Sequence, residues 1–306
     1  MRVRITLVAW LMVGVLEGLS HCLIALEPDK PDEADLKRVV QMPDGIHQVS
    51  FPSSATIDRA DLYFWCPAGA ENRVRAVMVI SPGRNGNGLP FLNRAEWREF
   101  ASINNLALCA LSFSSKKKFV DQSYSNANSG SGKMVTQGID AYLSSIGKDP
   151  LPLLMYGFSA GARFTASYVE ENSDRVVAWC GQAVGKWERA KATEAKPPGI
   201  VACGEWDAGC YHASLIYFQQ GRELGKPWTW ICLKETGHQR SSELDEYVRA
   251  FFAGALNQED FERRNGSYFD IDTRKSLTRT EQEDWPIFAS WVAEGMADSW
   301  LLLHQP

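Results

Sequence analysis

From Asp61 onward, short and nearly unbroken apolar runs alternate with longer stretches in which apolar residues return every three or four positions. The short runs cover residues 61–66, 74–81, 107–113, 153–156, 176–181, 199–203 and 228–233. Runs this short that lack polar alternation predict strands covered on both faces, as in parallel sheets. The periodic stretches predict helices over 96–105, 133–146, 160–171, 211–224 and 241–256. In the fourth of these, Tyr211, Leu215 and Phe218 fall on one face and read as packing against the sheet. Strands alternating with helices predict an α/β fold with a mostly parallel central sheet and helices on both faces. No insertion between the predicted strands is long enough for a large lid domain.

The flanks read differently. Residues 1–20 combine Arg2 and Arg4 with an apolar run and then Glu17-Gly18-Leu19-Ser20. This is the pattern of a secretory signal peptide, with cleavage after Ser20 or as late as Ala25. The competing reading is a membrane anchor, but Glu17 and His21 break the run short of the roughly 20 apolar residues that spanning requires. A secreted or periplasmic protein is the expectation, with membrane association only if the segment is retained. Residues 26–57 are polar and Pro-punctuated, a leader with one edge strand at 45–51. The α/β domain is expected over 58–256. Residues 257–306 form an extension, charged at first and then carrying Trp291, Met296, Trp300 and Leu301 to Leu303 at near-helical spacing. It reads as a segment folding back onto the domain or, alternatively, as an interaction tail.

Composition narrows the functional classes. Apolar residues make up 45% and charged residues 23% of the 306, an ordinary globular balance that excludes a disordered or coiled-coil chain. A net charge of −5 offers no basic face for nucleic acid, and the run Lys116-Lys117-Lys118 is too short to supply one. The seven cysteines lack zinc-finger spacing, so no structural metal is expected. Cys109, Cys180, Cys203 and Cys232 lie inside predicted strands, where Cys behaves as a small hydrophobe, which leaves room for zero to two disulfides.

The segment with chemical content is Gly157-Phe158-Ser159-Ala160-Gly161, a G-x-S-x-G pattern between a predicted strand and a predicted helix. A sharp turn there would expose the Ser159 hydroxyl above the sheet, where a helix N-terminus favours negative charge. A nucleophilic Ser requires a base, and the base an orienting acid. His212, His238 and His304 are the histidines that follow Ser159. His238 sits in the loop after the strand at 228–233, on the sheet edge where α/β sites are built, whereas His212 opens a helix and His304 lies in the extension. Asp207, in the exit loop of the strand before it, is the candidate acid, with Glu205 as competitor. Two N–H donors are needed for an oxyanion. Ala160 supplies one, and the glycine-rich loop Pro82-Gly83-Arg84-Asn85-Gly86-Asn87-Gly88 the other, through Arg84 or Asn85. Phe158, Trp206 and Asn85 are candidates for lining a substrate pocket; Trp179 and Trp187 either join them or pack in the core.

On these residues, 60–256 resemble the α/β-hydrolase superfamily, and the lidless layout behind a signal peptide is similar to secreted esterases of the polyhydroxybutyrate-depolymerase and feruloyl-esterase type. Pro82-Gly83 departs from the His-Gly common before the oxyanion residue in that group. The resemblance implies acyl transfer through Ser159, His238 and Asp207, without a cofactor, on a small-molecule or polymer-derived ester. A peptidase or amidase on the same fold and a catalytically silent binding protein are the alternatives. Gly130-Ser131-Gly132-Lys133 lacks the upstream Gly and the Ser or Thr of a phosphate loop, and Asp270-Ile271-Asp272 lacks the rest of a calcium loop.

Overall fold

The computed structural model describes residues 39–116, 124–257 and 266–304. The expected signal peptide, the first part of the leader, Cys22, Lys117 and Lys118 lie outside the described residues. Among the described residues nine strands form the main sheet: β1 (Val40–Gln41), β2 (Ile46–Phe51), β3 (Ile57–Trp65), β4 (Ala76–Ser81), β5 (Leu106–Ser115), β6 (Leu153–Phe158), β7 (Val176–Gln182), β8 (Gly199–Gly204) and β9 (Trp228–Leu233). Their spatial order is β1-β2-β3-β5-β4-β6-β7-β8-β9. The six strands from β5 to β9 run parallel, and β1, β2 and β3 extend the sheet antiparallel at one side.

Side chains alternate across each strand, so every central strand feeds two cores. Val77 and Val79 of β4 point to one face, where α2 (Ser131–Ser145), α3 (Ala160–Glu171) and α4 (Ala208–Glu223) contribute Ile139, Phe164 and Phe218. Met78 and Ile80 point to the other, covered by α1 (Ala95–Asn104) and α5 (Ser242–Asn257) through Trp97, Val248 and Phe252. All six residues of β4 are buried, as a strand covered on both faces requires. The mostly parallel sheet with helices on both faces is the predicted fold class, and among the described residues no inserted segment forms a large lid.

The sheet begins earlier than the sequence pattern indicates. β3 already starts at Ile57, and the apolar run is legible only from Asp61 because the exposed Asp58 and half-buried Arg59 interrupt it between the buried Ile57 and Ala60. β2, expected as an edge strand within the leader, pairs with β3 along Ile46–Phe51 and carries the two-residue β1 on its outer side. The helix expected at 211 starts at Ala208, since the Asp207 carbonyl accepts the N–H groups of Cys210 and Tyr211 at 2.9 and 2.8 Å. The six described cysteines are buried and unpaired.

Beyond α5 the chain builds a second, three-stranded sheet from β10 (Ser267–Asp270), β11 (Ser276–Leu277) and β12 (Ala289–Val292), followed by α7 (Ala297–Leu303); α6 (Arg279–Asp284) stands between β11 and β12 behind a Thr278/Glu281 capping box. This segment solves the problem of the sheet's last strand. β9 has a partner on one side only, and an unpaired strand edge is a template for aggregation. Its free Trp230 N–H donates to Ser290 Oγ at 2.9 Å, its Cys232 N–H to His304 Nδ1 at 2.9 Å, and its Trp230 carbonyl accepts Trp300 Nε1–H at 2.8 Å. Three side chains and a single backbone bridge between Leu233 and His304, rather than a tenth strand, satisfy the edge.

Candidate active site

The turn at Ser159 is sharp enough to need its glycines. Ser159 has φ 54° and ψ −123°, a conformation that costs a non-glycine residue about 1–3 kcal/mol. A Cβ on Gly157 would stand 2.4 Å from the Gly161 carbonyl oxygen, and one on Gly161 would stand 2.2 Å from that of Ser81. Both spacers of the motif are therefore fixed by backbone packing. The turn is pinned by the Ser159 N–H, which donates to the Gln182 carbonyl at 2.8 Å, and its hydroxyl emerges at the carboxyl end of β6, just before α3.

Three strand ends bring the site together. His238 Nε2 lies 3.0 Å from Ser159 Oγ, and His238 Nδ1 lies 2.7 Å from Asp207 Oδ2. The Asp207 side chain is buried, 8% exposed, while that of His238 is 46% exposed. A continuous hydrogen-bonded chain thus runs from a buried carboxylate to a hydroxyl that solvent can reach. Glu205 is engaged elsewhere: its carboxylate accepts the Glu235 N–H at 2.9 Å and braces the loop that carries His238. His212 lies exposed on α4, and His304 is sealed beneath the C-terminal segment.

The loop after β4 is held at four points. Arg59 Nη2 donates to the Asn85 and Gly86 carbonyls at 3.3 and 3.4 Å, the Asn85 N–H donates to Tyr124 Oη at 2.8 Å, and Asn85 Oδ1 accepts the Ser115 N–H at 3.1 Å. Asn85, at φ 54°, is thereby occupied on both its backbone and its side chain. The Arg84 and Ala160 N–H groups donate to no described residue, and of the two loop candidates Arg84 is the one with a donor to offer. Ala160 has this freedom by construction, since the first N–H groups of a helix lack intrahelical acceptors.

Phe158 is half-buried with its ring centroid 5.2 Å from that of His238, and Trp206 stands 64% exposed beside Asp207. Trp179 and Trp187 do not share this rim. Trp179 is fully buried edge-on to Trp228, and Trp187 stacks on Tyr217 at 4.4 Å.

Several supporting residues escape sequence reasoning. Gln182, fully buried at the end of β7, donates from Nε2 to the Gln239 carbonyl at 2.8 Å and so holds the residue after His238. Arg240 bonds Asp245 Oδ1 at 3.2 Å and lies over the rings of Phe91 and Tyr156. Asp245 also accepts the Tyr156 hydroxyl. Two thiols flank the acid: Cys203 Sγ lies 4.0 Å from Asp207 Oδ2, and Cys210 Sγ lies 3.5 Å from His238 Nδ1. Burial, with the Asp207 carboxylate adding to it, pushes both thiols up to about 12. They are protonated at neutral pH, which makes them poor nucleophiles. The signal for all these contacts is tertiary, and no local motif marks them.

No family model and no curated protein matches the chain. Among solved structures it is similar to an S-formylglutathione hydrolase from Agrobacterium tumefaciens, at 13% identity over 72% of this chain and 98% of that one, with a TM-score of 0.54. It is also similar to an esterase from Pyrobaculum calidifontis, at 14% identity over 69% of this chain and 84% of that one, with a TM-score of 0.51. Sheet order, the turn at Ser159 and these likenesses agree that the chain has the α/β-hydrolase fold.

Proposed function

We propose that the protein is a serine hydrolase that cleaves carboxylic esters. Ser159 Oγ attacks the acyl carbonyl while His238 Nε2 takes its proton and passes it to the leaving alcohol. Asp207 keeps the imidazole proton on Nδ1 and stabilises the imidazolium that forms. The Ala160 and Arg84 N–H groups receive the oxyanion. Water, deprotonated by His238, then opens the acyl-enzyme and releases the acid. Ester and water supply every atom of this cycle, so no cofactor enters it. The observation that carries the reading is the chain Ser159–His238–Asp207, with contacts of 3.0 and 2.7 Å around a residue held at positive φ.

The half-exposed histidine and the aromatic rim of Phe158 and Trp206 support an open site for a small-molecule or polymer-derived ester. Hydrolysis of a series of p-nitrophenyl esters tests the proposal. Ser159→Ala is expected to lower the rate by about 10⁴-fold or more with an unchanged circular dichroism spectrum. A folded variant with the wild-type rate would overturn it. Export belongs to the same reading, supported by the pattern of residues 1–20. N-terminal sequencing of protein recovered outside the cytoplasm should start near residue 21 or 26; material there that begins at Met1 would contradict cleavage.

A further inference from the structure

Asp207, Cys210 and His238 each offer one ligand atom, and the three atoms lie within 4.8 Å of one another. They come from two elements only, the first turn of α4 and the loop after β9, so the cluster does not depend on a distant hinge. Donor type and spacing both matter here. The S···N separation is 3.5 Å, and a tetrahedral Zn²⁺ with ordinary bonds to thiolate and imidazole sets that edge at about 3.6 Å. The Nδ1···Oδ2 distance of 2.7 Å is shorter than the corresponding edge of about 3.4 Å, so the carboxylate would retreat by several tenths of an ångström to admit an ion. One sulfur, one nitrogen and one oxygen, completed by water, suit a soft or borderline divalent cation and not Mg²⁺ or Ca²⁺, which take oxygen sets.

We propose that Cys210, His238 and Asp207 form an inhibitory binding site for a thiophilic divalent cation such as Zn²⁺ or Cd²⁺. Binding breaks the Nδ1–H bond to Asp207 and the S–H bond of Cys210. The imidazole proton relocates to Nε2, and the thiol proton leaves to solvent. With its proton on Nε2, the ring can no longer accept one from Ser159. The inhibitory consequence rests on the proposed hydrolase reading, whereas the binding itself does not.

The test uses the whole protein with Cd²⁺ and Zn²⁺ as probes. Cd²⁺ titration is expected to give one sulfur-to-metal charge-transfer band per chain, and Zn²⁺ to suppress ester hydrolysis reversibly, with recovery in chelator. Each variant's rate is referred to its own rate in chelator. In Cys210→Ser the band should vanish, and half-inhibition should move to at least about ten-fold higher Zn²⁺. In His238→Gln, a substitution at a half-exposed loop position, the band should remain but need at least about ten-fold more Cd²⁺. A band that persists in Cys210→Ser, or a His238→Gln titration that matches wild type, would overturn the site. Protein that hydrolyses no ester yet shows the Cys210-dependent band would refute the hydrolase reading and leave the site standing. Protein that hydrolyses esters without a band would do the reverse.

Discussion

Two histidines, one in the loop after β9 and one just past α7, show how surroundings turn one side chain to different work. His238 sits on an exposed loop, with a carboxylate at Nδ1 and a hydroxyl at Nε2. His304 is fully buried, accepts the Cys232 N–H at Nδ1 and donates from Nε2 to the Ile271 carbonyl at 2.6 Å. Both rings bridge two partners. At His238 the partners are side chains, which on the proposed hydrolase reading exchange a proton with the ring. At His304 they are backbone groups that have none to exchange, and burial pushes its pKa down to about 4. One histidine joins a carboxylate to a hydroxyl at the carboxyl edge of the sheet, and the other helps close the unpaired side of β9.

The sharpest way to break this contrast is to remove each ring in turn. His238→Ala is expected to lower ester hydrolysis by about 10⁴-fold or more and to move the urea midpoint little, since the ring is half-exposed. His304→Ala is expected to do the opposite. It leaves the Cys232 N–H and the Ile271 carbonyl unpaired in a cavity, a loss of about 2–4 kcal/mol seen in denaturant unfolding, with the rate per folded molecule retained. A large stability loss in the first variant, or none in the second, would break the division of labour.

Acid sharpens the same comparison. The unfolded chain binds a proton at His304 below about pH 6.5, whereas the folded chain resists until about pH 4. Stability should therefore fall as pH drops through that window, by up to about 3 kcal/mol from this group. Urea midpoints from pH 7 to pH 4 should show a shallower fall in His304→Ala than in wild type. Equal slopes would mean that His304 is not held neutral.

Smaller effects probe the braces around His238. Gln182→Ala frees the Gln239 carbonyl and is expected to lower kcat about ten-fold with little change in KM, because only the position of the base shifts. Glu205→Ala removes one exposed hydrogen bond to the Glu235 N–H, and about a two- to three-fold loss in kcat is expected. Steady-state kinetics on one p-nitrophenyl ester separates the two, and the reverse ranking would show that the loop is held from its exposed side.

The contrast also marks what a sequence can disclose. The turn at Ser159 is legible because its requirements are local: two glycines, a strand before and a helix after. The loops of Asp207 and His238 follow from strand order alone. β3 is half legible, since its polar outward positions interrupt an otherwise apolar run. The second sheet is not legible, because β10, β11 and β12 have at most four residues each in a charged stretch and are stabilised by what they cover. His304 reads as a tail residue for the same reason; its partner Cys232 is 72 positions away. Gln182 lies one residue beyond the apolar run at 176–181, and only the folded loop above it gives the amide a role.

On the proposed hydrolase reading Ser159 is an activated nucleophile. Incubation of the folded protein with a fluorophosphonate probe, followed by peptide mass spectrometry, tests it most directly. One covalent adduct is expected, located on Ser159, absent in Ser159→Ala and strongly slowed in His238→Ala. A folded wild-type protein that takes no label, or a label that persists in Ser159→Ala, would contradict it.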